Sequence, residues 1–321
     1  MSVTVDEGLS PSPISPTSPP PFLWRDGQID AWSDAQVHIN AVGHASVSAV
    51  FEGIRAYRGD NGGLLVFRLR EHMERLLQSA RLCRLDVAFK ADALEEAVCS
   101  LLRRNAFEGD VYIRPWIFPA GIIREQIAPA GLPATVVIDS WTVGSRLATL
   151  APCSACVSSW HRAGSNAFPS MVKAFSNYHN SRLASLEAWH NGYDWPILLN
   201  DRGLVSEGPG ACLGLIRNGT LITPDLSSGI LDSITRKTVL HLARQDLGLE
   251  VVERAVDRAE LCLADEVFFM GTGWEILPIS RIDGLSVGKE AIGPITRDIA
   301  ALYHACVRGR TLHADAWCRR V

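Results

Sequence analysis

The chain has 321 residues, enough for two domains of ordinary size. Apolar residues make up 47% and charged residues 21%, which is typical of a folded globular protein. The net charge of -4 offers no polybasic surface, so nucleic acid and anionic membranes are not expected partners. No apolar run approaches the ~20 residues of a membrane span, and the N-terminus lacks the pattern of a secretory signal. These features predict a cytoplasmic protein.

The first half of the chain is predicted to mix helices and strands. Residues 1–21 are rich in proline and serine and predict a disordered arm, so ordered structure should begin near Phe22. A strand at 64–68 runs into a helix in which apolar residues repeat at three-to-four spacing: Met73, Leu76, Leu77, Ala80 and Leu82. A second helix is predicted over 91–104, and apolar strands over 111–118 and 135–143.

The second half is predicted to contain antiparallel hairpins. Residues 194–207 read as two strands joined by a turn at 200–203, and Asn218-Gly219 separates two further strands as a type I′ turn would. A helix begins at Ser233-Ile234-Thr235, and the strand EVFFM runs into Gly271-Thr272-Gly273. The mixed order favours an α+β fold with two domains, whose boundary falls near 140–150.

Eight cysteines and nine histidines are scattered through the chain. Cys153 and Cys156 form a Cys-x-x-Cys pair, but no second pair or histidine follows at metal-ligand spacing. The apolar pattern of 151–160 instead favours a strand with two buried free thiols. The histidines show no His-Glu-x-x-His pattern. We therefore expect neither a disulfide scaffold nor a metal site.

Four segments carry candidate chemistry. Lys173, which we place after an apolar strand, offers an amine that can condense with an aldehyde cofactor and later move a proton. Glu207, at the end of a hairpin strand, can hold a ring nitrogen protonated. The helix start at 233–235 and the turn at 271–273 are places where backbone N–H groups and hydroxyls can bind a phosphate, together with Arg75. No nucleotide-binding glycine pattern competes with this interpretation.

Several motifs occur together in a fixed order. They are FEGIRAY (51–57), FRLREHMERLLQSA (67–80), YIRP (112–115), NYHNSRLASLEA (177–188), GLVSEGPG (203–210), GILDSITRKTV (229–239), LADEVFFMGTGWEILPI (263–279) and GPITRDI (293–299). This set strongly resembles the class IV aminotransferases of fold type IV, the branched-chain aminotransferase group, over about residues 22–305. The resemblance implies a small α/β N-terminal domain (22–139), an interdomain loop (140–150) and a larger β-barrel-like domain (151–321) that binds pyridoxal 5′-phosphate (PLP).

The resemblance also implies a role for each candidate residue. Lys173 would be the Schiff-base lysine and proton shuttle, Tyr178 would contact the phenolic oxygen of PLP, and Glu207 would contact its pyridine nitrogen. Leu231 would pack on the ring. The phosphate would be bound by Arg75, Ile234 (through its main chain), Thr235 and Thr272. The substrate side would be lined by Phe51, Gly53, Tyr112 and Arg114. The family implies a homodimer that acts on an L-amino acid and a 2-oxo acid.

The chain departs from the family at positions expected near the substrate. Ser46 replaces a tyrosine, Arg146 stands where an aromatic residue is common, and Gly273-Trp274 replaces two small residues. Replacing a small residue with an indole of ~200 Å² would change the shape of the pocket if the side chain points into it. We therefore expect Ser46, Arg146 and Trp274 to reshape a substrate pocket, lined also by Gly273, that differs from that of the plain branched-chain enzymes. The alternative is that the indole faces outward and packs under the turn.

The leading hypothesis is transamination with glutamate and 2-oxoglutarate as one pair. A lyase of the aminodeoxychorismate type and a D-amino-acid aminotransferase share this fold, its lysine and its glutamate. A non-catalytic scaffold is a further alternative, which the intact set of Lys173, Tyr178, Glu207 and Thr235 disfavours.

Overall fold

The computed structural model describes residues 19–121 and 133–321. Its helices are α1 (Val42–Val47), α2 (Leu69–Leu82), α3 (Ala91–Asn105), α4 (His179–His190), α5 (Ile234–Gln245), α6 (Glu260–Leu263), α7 (Pro294–Val307) and α8 (Ala314–Trp317). Its strands are β1 (Phe22–Arg25), β2 (Gln28–Ala31), β3 (Val50–Phe51), β4 (Ile54–Arg58), β5 (Leu64–Phe67), β6 (Val111–Pro119), β7 (Ala134–Thr142), β8 (Cys153–Val157), β9 (Trp195–Ile197), β10 (Cys212–Arg217), β11 (Thr220–Thr223), β12 (Val251–Glu253), β13 (Glu266–Gly271), β14 (Glu275–Ile282), β15 (Leu285–Ser286) and β16 (Cys318–Arg320).

The first sheet is antiparallel and carries two helices. Its strand order is β16-β5-β4-β6-β7-β1-β2, with β3 paired to β6. The apolar stripes of α2 and α3 lie in the same core as alternate residues of β4 and β6, such as Ile54 and Ile113. This is the packing that the three-to-four repeat in α2 predicts, because residues at that spacing share one helix face. Both predicted helices and the strands at 64–68, 111–118 and 135–143 are confirmed within one or two residues.

The second sheet is mixed and is buried on both faces. Its order is β12-β11-β10-β13-β14-β8-β9, with parallel pairs at β11–β12, β14–β8 and β8–β9. Successive residues of β13 enter different cores: Phe269 packs in one, and Phe268 and Met270 pack in the other, beside α5 and α7. This explains why the strand is apolar at each position from Val267 to Met270 rather than at alternate positions. Together the two sheets and their helices form the predicted α+β fold.

The C-terminal segment returns to the first sheet. Cys318–Arg320 pairs antiparallel with Leu65–Phe67, and the carbonyl of Trp317 accepts a hydrogen bond from the backbone N–H of Arg68 at 2.6 Å. The sequence pattern did not indicate this strand, because three residues carry no readable periodicity. The limits 22–139, 140–150 and 151–321 remain a prediction, and most of the proposed arm, residues 1–18, lies outside the described residues.

Three local predictions can be compared with the structure. Asn218 and Gly219 have φ values of 51° and 80°, as a type I′ turn between β10 and β11 requires. The placement of Lys173 directly after a strand is wrong, because β8 ends at Val157 and an irregular segment follows it. Cys153 and Cys156 are buried and unbridged, as expected of core thiols in β8. No helix among the described residues is long and apolar enough to cross a bilayer.

We predict that Gly219→Ala lowers the free energy of unfolding by about 1–2 kcal/mol, the usual cost of a left-handed φ for a residue with a Cβ. Nothing lies within 4 Å of the added atom, so the cost is conformational rather than steric. Urea denaturation of Gly219→Ala and of a control variant, Gly43→Ala, measures the loss in free energy of unfolding. Gly43 lies in α1 with ordinary φ and open space around it, so that control should lose no stability. Equal effects in the two variants would contradict the turn assignment.

Candidate active site

Lys173 is held in place by residues of the first sheet and its helices. Its backbone N–H donates to Ser79 Oγ on α2 at 3.2 Å, and its carbonyl accepts from the N–H of Phe51 on β3 at 3.0 Å. The side-chain amide of Asn177 donates to the carbonyl of Val172 at 2.8 Å and fixes the preceding segment. The Lys173 amine then lies 2.6 Å from the Tyr178 hydroxyl and 4.6 Å from the centre of the Phe51 ring.

Glu207 and Lys173 line the same cavity. One carboxylate oxygen of Glu207 accepts from the N–H of Leu231 at 3.2 Å, and the other lies 2.9 Å from an Arg162 nitrogen. The cavity wall consists of Arg162, Ser170, Val172, Lys173, Asn177, Tyr178, Glu207, Pro209, Gly210, Ala211, Cys212, Leu231 and Ser233. The amine and the acid that the sequence singled out are therefore brought together, although they lie far apart in the chain.

A site suited to an anion lies at the start of α5. Ser233 caps the helix by accepting from the N–H of Arg236 at 3.2 Å, which leaves the N–H groups of Ile234 and Thr235 without an intrahelical acceptor. The hydroxyls of Thr235 and Thr272 lie 3.4 Å apart, so the turn between β13 and β14 meets the helix start here. Free N–H groups, the helix dipole and two hydroxyls form a typical phosphate-binding arrangement.

Arg75 reaches this helix start from α2. One of its nitrogens donates to the carbonyl of Asp232 at 2.7 Å. Two others contact the carboxylate of Glu52 at 2.6 and 2.8 Å, and His72 Nδ1 lies 2.7 Å from the same group. Burial alone would raise the pKa of Glu52, but Arg75 and His72 outweigh it and lower that pKa from 4.5 to about 2. Burial lowers the pKa of His72, which favours a neutral imidazole.

Arg55 joins the site to the predicted interdomain loop. Its guanidinium donates to the carbonyls of Thr272, Gly273 and Gly144 at 3.0–3.1 Å. It also lies 3.5 Å from Glu275, which accepts from Ser145 Oγ and from the N–H of Arg146 at 2.9 and 2.7 Å. Glu275 has a φ of 56°, unusual for a residue with a side chain, and these contacts hold it there.

Four residues that fix the geometry of the site were not predicted from the sequence: Glu52, Arg55, His72 and Arg162. Glu52, Arg55 and His72 lie in motifs that carried the family resemblance, so the signal was present, but spacing alone gave no partner for them. Arg162 lies in an irregular segment without periodicity. Only the fold shows that it reaches Glu207 and that its Nε is buried without a hydrogen-bond partner among the described residues.

The residues expected on the substrate side form an aromatic wall. Phe51 packs against Tyr178, with ring centres 5.2 Å apart, and Tyr112 packs against Trp141 at 5.0 Å. A Cβ at Gly53 would lie 1.9 Å from the Tyr112 hydroxyl, so this close approach requires glycine. The Arg114 guanidinium lies 4.3 Å from the centre of the Trp116 ring, and its buried Nε has no partner among the described residues.

Trp274 does not take the expected position. Its indole is buried in a core of the second sheet, with ring centres 4.3 Å from Trp195 and 5.0 Å from Phe269. The expectation that this side chain reshapes a substrate pocket is wrong, because two aromatic rings of the core enclose the indole, which does not face outward either. Gly273 is tied to Arg55 through its carbonyl, and Arg146 to Glu275 through its N–H.

These residues fit an elongated ligand with three distinct groups. A phosphate suits the start of α5 with Arg75, a carbonyl carbon suits the amine of Lys173, and a protonated ring nitrogen suits Glu207. The buried Arg162 Nε and the free N–H groups of α5 are unmet donors in or beside this cavity. The donor set therefore fits PLP, the cofactor that the sequence motifs imply.

Comparisons with known proteins agree with this geometry. The family model described as amino-transferase class IV matches residues 49–282. The branched-chain-amino-acid aminotransferase of Escherichia coli (strain K12) is 38% identical over 303 residues, covering 94% of this chain and 97% of its own. The crystal structure of the branched-chain amino acid aminotransferase from Thermobaculum terrenum in PLP form has a TM-score of 0.91 and 44% identity. It covers 94% of this chain and 98% of its own.

A second solved structure is similar with a ligand in place. The T.th. branched-chain amino acid aminotransferase complexed with N-(5′-phosphopyridoxyl)-L-glutamate has a TM-score of 0.85 and 33% identity. It covers 94% of this chain and 98% of its own.

We predict that Glu52→Gln lowers the free energy of unfolding by about 3–5 kcal/mol, because Arg75 then stays buried without its counter-charge. In the wild type, the stabilisation that ionised Glu52 provides is present above pH 4.5 and is lost as pH falls toward about 2, because folding lowers the pKa of the Glu52 carboxyl. Denaturant titrations at about pH 7 and about pH 3 measure both effects. The control Glu96→Gln removes an exposed pair with Arg103 and should cost less than about 1 kcal/mol. A loss as small as that of the control would refute a structural role for the pair.

Proposed function

The chain belongs to the class IV aminotransferase family, and from that premise we propose that L-glutamate and 2-oxoglutarate form one of its substrate pairs. It is a PLP-dependent aminotransferase similar to the branched-chain amino acid enzymes. The site assignment rests on one observation. Lys173 and Glu207 line the same cavity, and its wall includes Ser233 at the start of α5, where an anion can bind.

The residues divide the chemistry among themselves. When bound, PLP supplies an aldehyde for amine exchange and a ring that withdraws electrons from the substrate α-carbon. Lys173 Nζ takes the proton from that carbon and returns it to complete the exchange. The Tyr178 hydroxyl, 2.6 Å from this nitrogen, orients it. Glu207 holds a proton on the ring nitrogen, and the Leu231 N–H and Arg162 fix the carboxylate in position.

The phosphate end is assigned to Arg75, Ile234, Thr235 and Thr272. Arg75 contributes a permanent charge, and the start of α5 contributes two N–H groups and a favourable dipole. Glu52 holds two nitrogens of Arg75, so the guanidinium presents its remaining face toward Asp232 and the helix start. This arrangement binds a dianion with groups that are already in place before it arrives, which lowers the cost of ordering them.

The substrate side supports glutamate as one partner. Arg114 stands beside Tyr112 and Trp116 with a buried Nε that has no partner among the described residues, so a second substrate carboxylate would meet an available donor there. Burial lowers the pKa of Arg114, and the nearby Asp139 and Tyr112 offset this only in part. The T.th. relative complexed with N-(5′-phosphopyridoxyl)-L-glutamate supports the proposal, because that protein bound a ligand with a glutamate part.

We further propose that the preferred acceptor differs from the plain branched-chain 2-oxo acids. With the Trp274 indole in the core, this proposal rests on Ser46 and Arg146. Ser46 lines a cavity beside Tyr178 and Phe175 in place of a larger aromatic residue. Arg146 brings a charge to the loop that Glu275 and Arg55 hold against the 272–273 turn.

A homodimer is proposed as the working form. Apolar side chains are exposed along one stretch before the active-site strand β3: Trp32, Val37, Ile39, Val42 and Val47. Phe168 and Met171, in the segment before Lys173, are exposed as well. A contiguous exposed apolar surface is typical of a subunit interface. Light scattering that gives a mass near twice the 35.0 kDa of one chain would support this assembly.

We predict that Lys173→Ala abolishes the near-visible absorbance of the lysine-bound cofactor and lowers the rate of the L-glutamate half-reaction by roughly 10²–10⁴-fold. Single-turnover absorbance changes after mixing with L-glutamate measure it. The control Lys237→Ala removes an exposed lysine of α5 that pairs with Asp232. This variant should keep the near-visible absorbance and most of the half-reaction rate. A Lys173→Ala enzyme that turns over like the control would end this assignment.

We predict that Arg114→Met lowers kcat/KM for 2-oxoglutarate by about 10–100-fold, the equivalent of one lost charge-assisted hydrogen bond. The value for 4-methyl-2-oxopentanoate, which has no second carboxylate, should change less than about threefold. Steady-state rates with a panel of 2-oxo acids measure both, with Arg103→Met on the exposed face of α3 as control. Equal losses for the two acceptors would contradict the role of Arg114. A wild-type preference for branched-chain acceptors would contradict the altered pocket.

A further inference from the structure

Three potential metal ligands meet at the far end of α5. His241 lies on the helix, Asp246 directly follows it, and His313 precedes α8 near the C-terminus. Their ligand atoms all lie within 4.8 Å of one another. His313 Nε2 is 3.1 Å from each carboxylate oxygen of Asp246, and the two imidazole ring centres are 5.1 Å apart. The cluster shares no residue with the active-site cavity.

The spacing suits a small divalent cation. Zinc bonds of roughly 2.0–2.1 Å to nitrogen and oxygen place tetrahedral ligands roughly 3.3 Å apart. His313 and Asp246 already meet this separation, and only His241 has to approach. Its side chain is exposed, so a rotation of the imidazole can bring its nitrogen closer without disturbing the core. Two imidazoles and one carboxylate are ligands that zinc readily accepts, with water in the fourth position.

Two surrounding features favour a cation here. The cluster lies at the C-terminal end of α5, where unpaired carbonyls give the helix a partial negative charge. The Trp317 ring stacks on His313 with a centre distance of 4.4 Å and an interplanar angle of 14°, and it meets His241 edge-on at 5.2 Å. Trp317 therefore restricts the His313 ring to one plane. A ligand that is ordered in advance loses less entropy when it binds a metal.

We propose that His241, Asp246 and His313 form a zinc-binding site that fastens the C-terminal segment to α5. The segment continues through α8 into β16, the edge strand of the first sheet. A metal at this point would link a helix that packs on the second sheet to a strand of the first sheet. The opposite end of α5 is the proposed phosphate site, about 18 Å away for a helix of 12 residues. Zinc therefore stabilises the fold without entering the transamination chemistry. The sequence did not suggest this site, because His313 is far from the other two ligands in the chain.

Calorimetric titration of ZnCl₂ into untagged, chelator-treated, PLP-loaded enzyme tests the proposal. One zinc ion should bind per chain and raise the thermal unfolding midpoint. His241→Gln and His313→Gln should each weaken this binding at least about tenfold and remove the thermal shift. Both variants should keep wild-type transamination rates, which confirms that they fold. The control His190→Gln removes an exposed histidine on α4 and should bind zinc as the wild type does.

Cobalt gives a second readout that reports on the coordination itself. CoCl₂ added to the wild type should produce the visible d–d absorbance of a four- or five-coordinate ion, and Asp246→Asn should lose it. The proposal is overturned if zinc fails to bind. It is equally overturned if the His241→Gln and His313→Gln variants bind zinc as tightly as the His190→Gln control, since binding would then be adventitious.

Discussion

The Lys173 amine and the Glu207 carboxylate must face one cavity, and the rest of the structure follows from this constraint. Lys173 is tied to the first sheet through Phe51 and Ser79, although it lies in the second half of the chain. Glu207 lies between β9 and β10 of the second sheet and is fixed by Leu231 and Arg162. Each group is positioned by a different core. The cavity is therefore a property of how the two sheets meet, and neither sheet could form it alone.

Buried charges hold this junction together. They are the pair of Glu52 and Arg75, which the neutral His72 contacts, and the pair of Arg55 and Glu275. Buried ion pairs add little net stability because desolvation offsets their attraction, but breaking one is costly. Their value here is geometric, since each guanidinium is held at several points and presents its remaining donors in a fixed direction. Arg55 thereby fixes the turn that carries Thr272, and Glu52 fixes the Arg75 group aimed at the start of α5.

Elements that depend on neighbouring residues could be predicted from the sequence. Elements and side-chain positions that depend on long-range contacts could not. The α2 and α3 helices and the Asn218-Gly219 turn depend on neighbouring residues, so their periodicity and turn chemistry were sufficient. The cavity residues could be predicted as one set because the family motifs occur in a recognisable order along the chain. The irregular segment before Lys173 and the β16 strand have no such pattern. Trp274 was misplaced because composition shows that an indole is large, whereas only the fold shows that Trp195 and Phe269 enclose it.

Reduction of the PLP-loaded enzyme with sodium borohydride, followed by peptide mass mapping, tests the central claim most directly. Reduction makes the bond between the cofactor and its lysine permanent, so the modified peptide identifies the residue. The chain has four lysines, and the structure describes all of them. Lys90, Lys237 and Lys289 are exposed, whereas Lys173 is partly buried in the cavity wall. We expect one pyridoxyl group per chain, on Lys173. Modification of another lysine, with Lys173 unmodified, would contradict it.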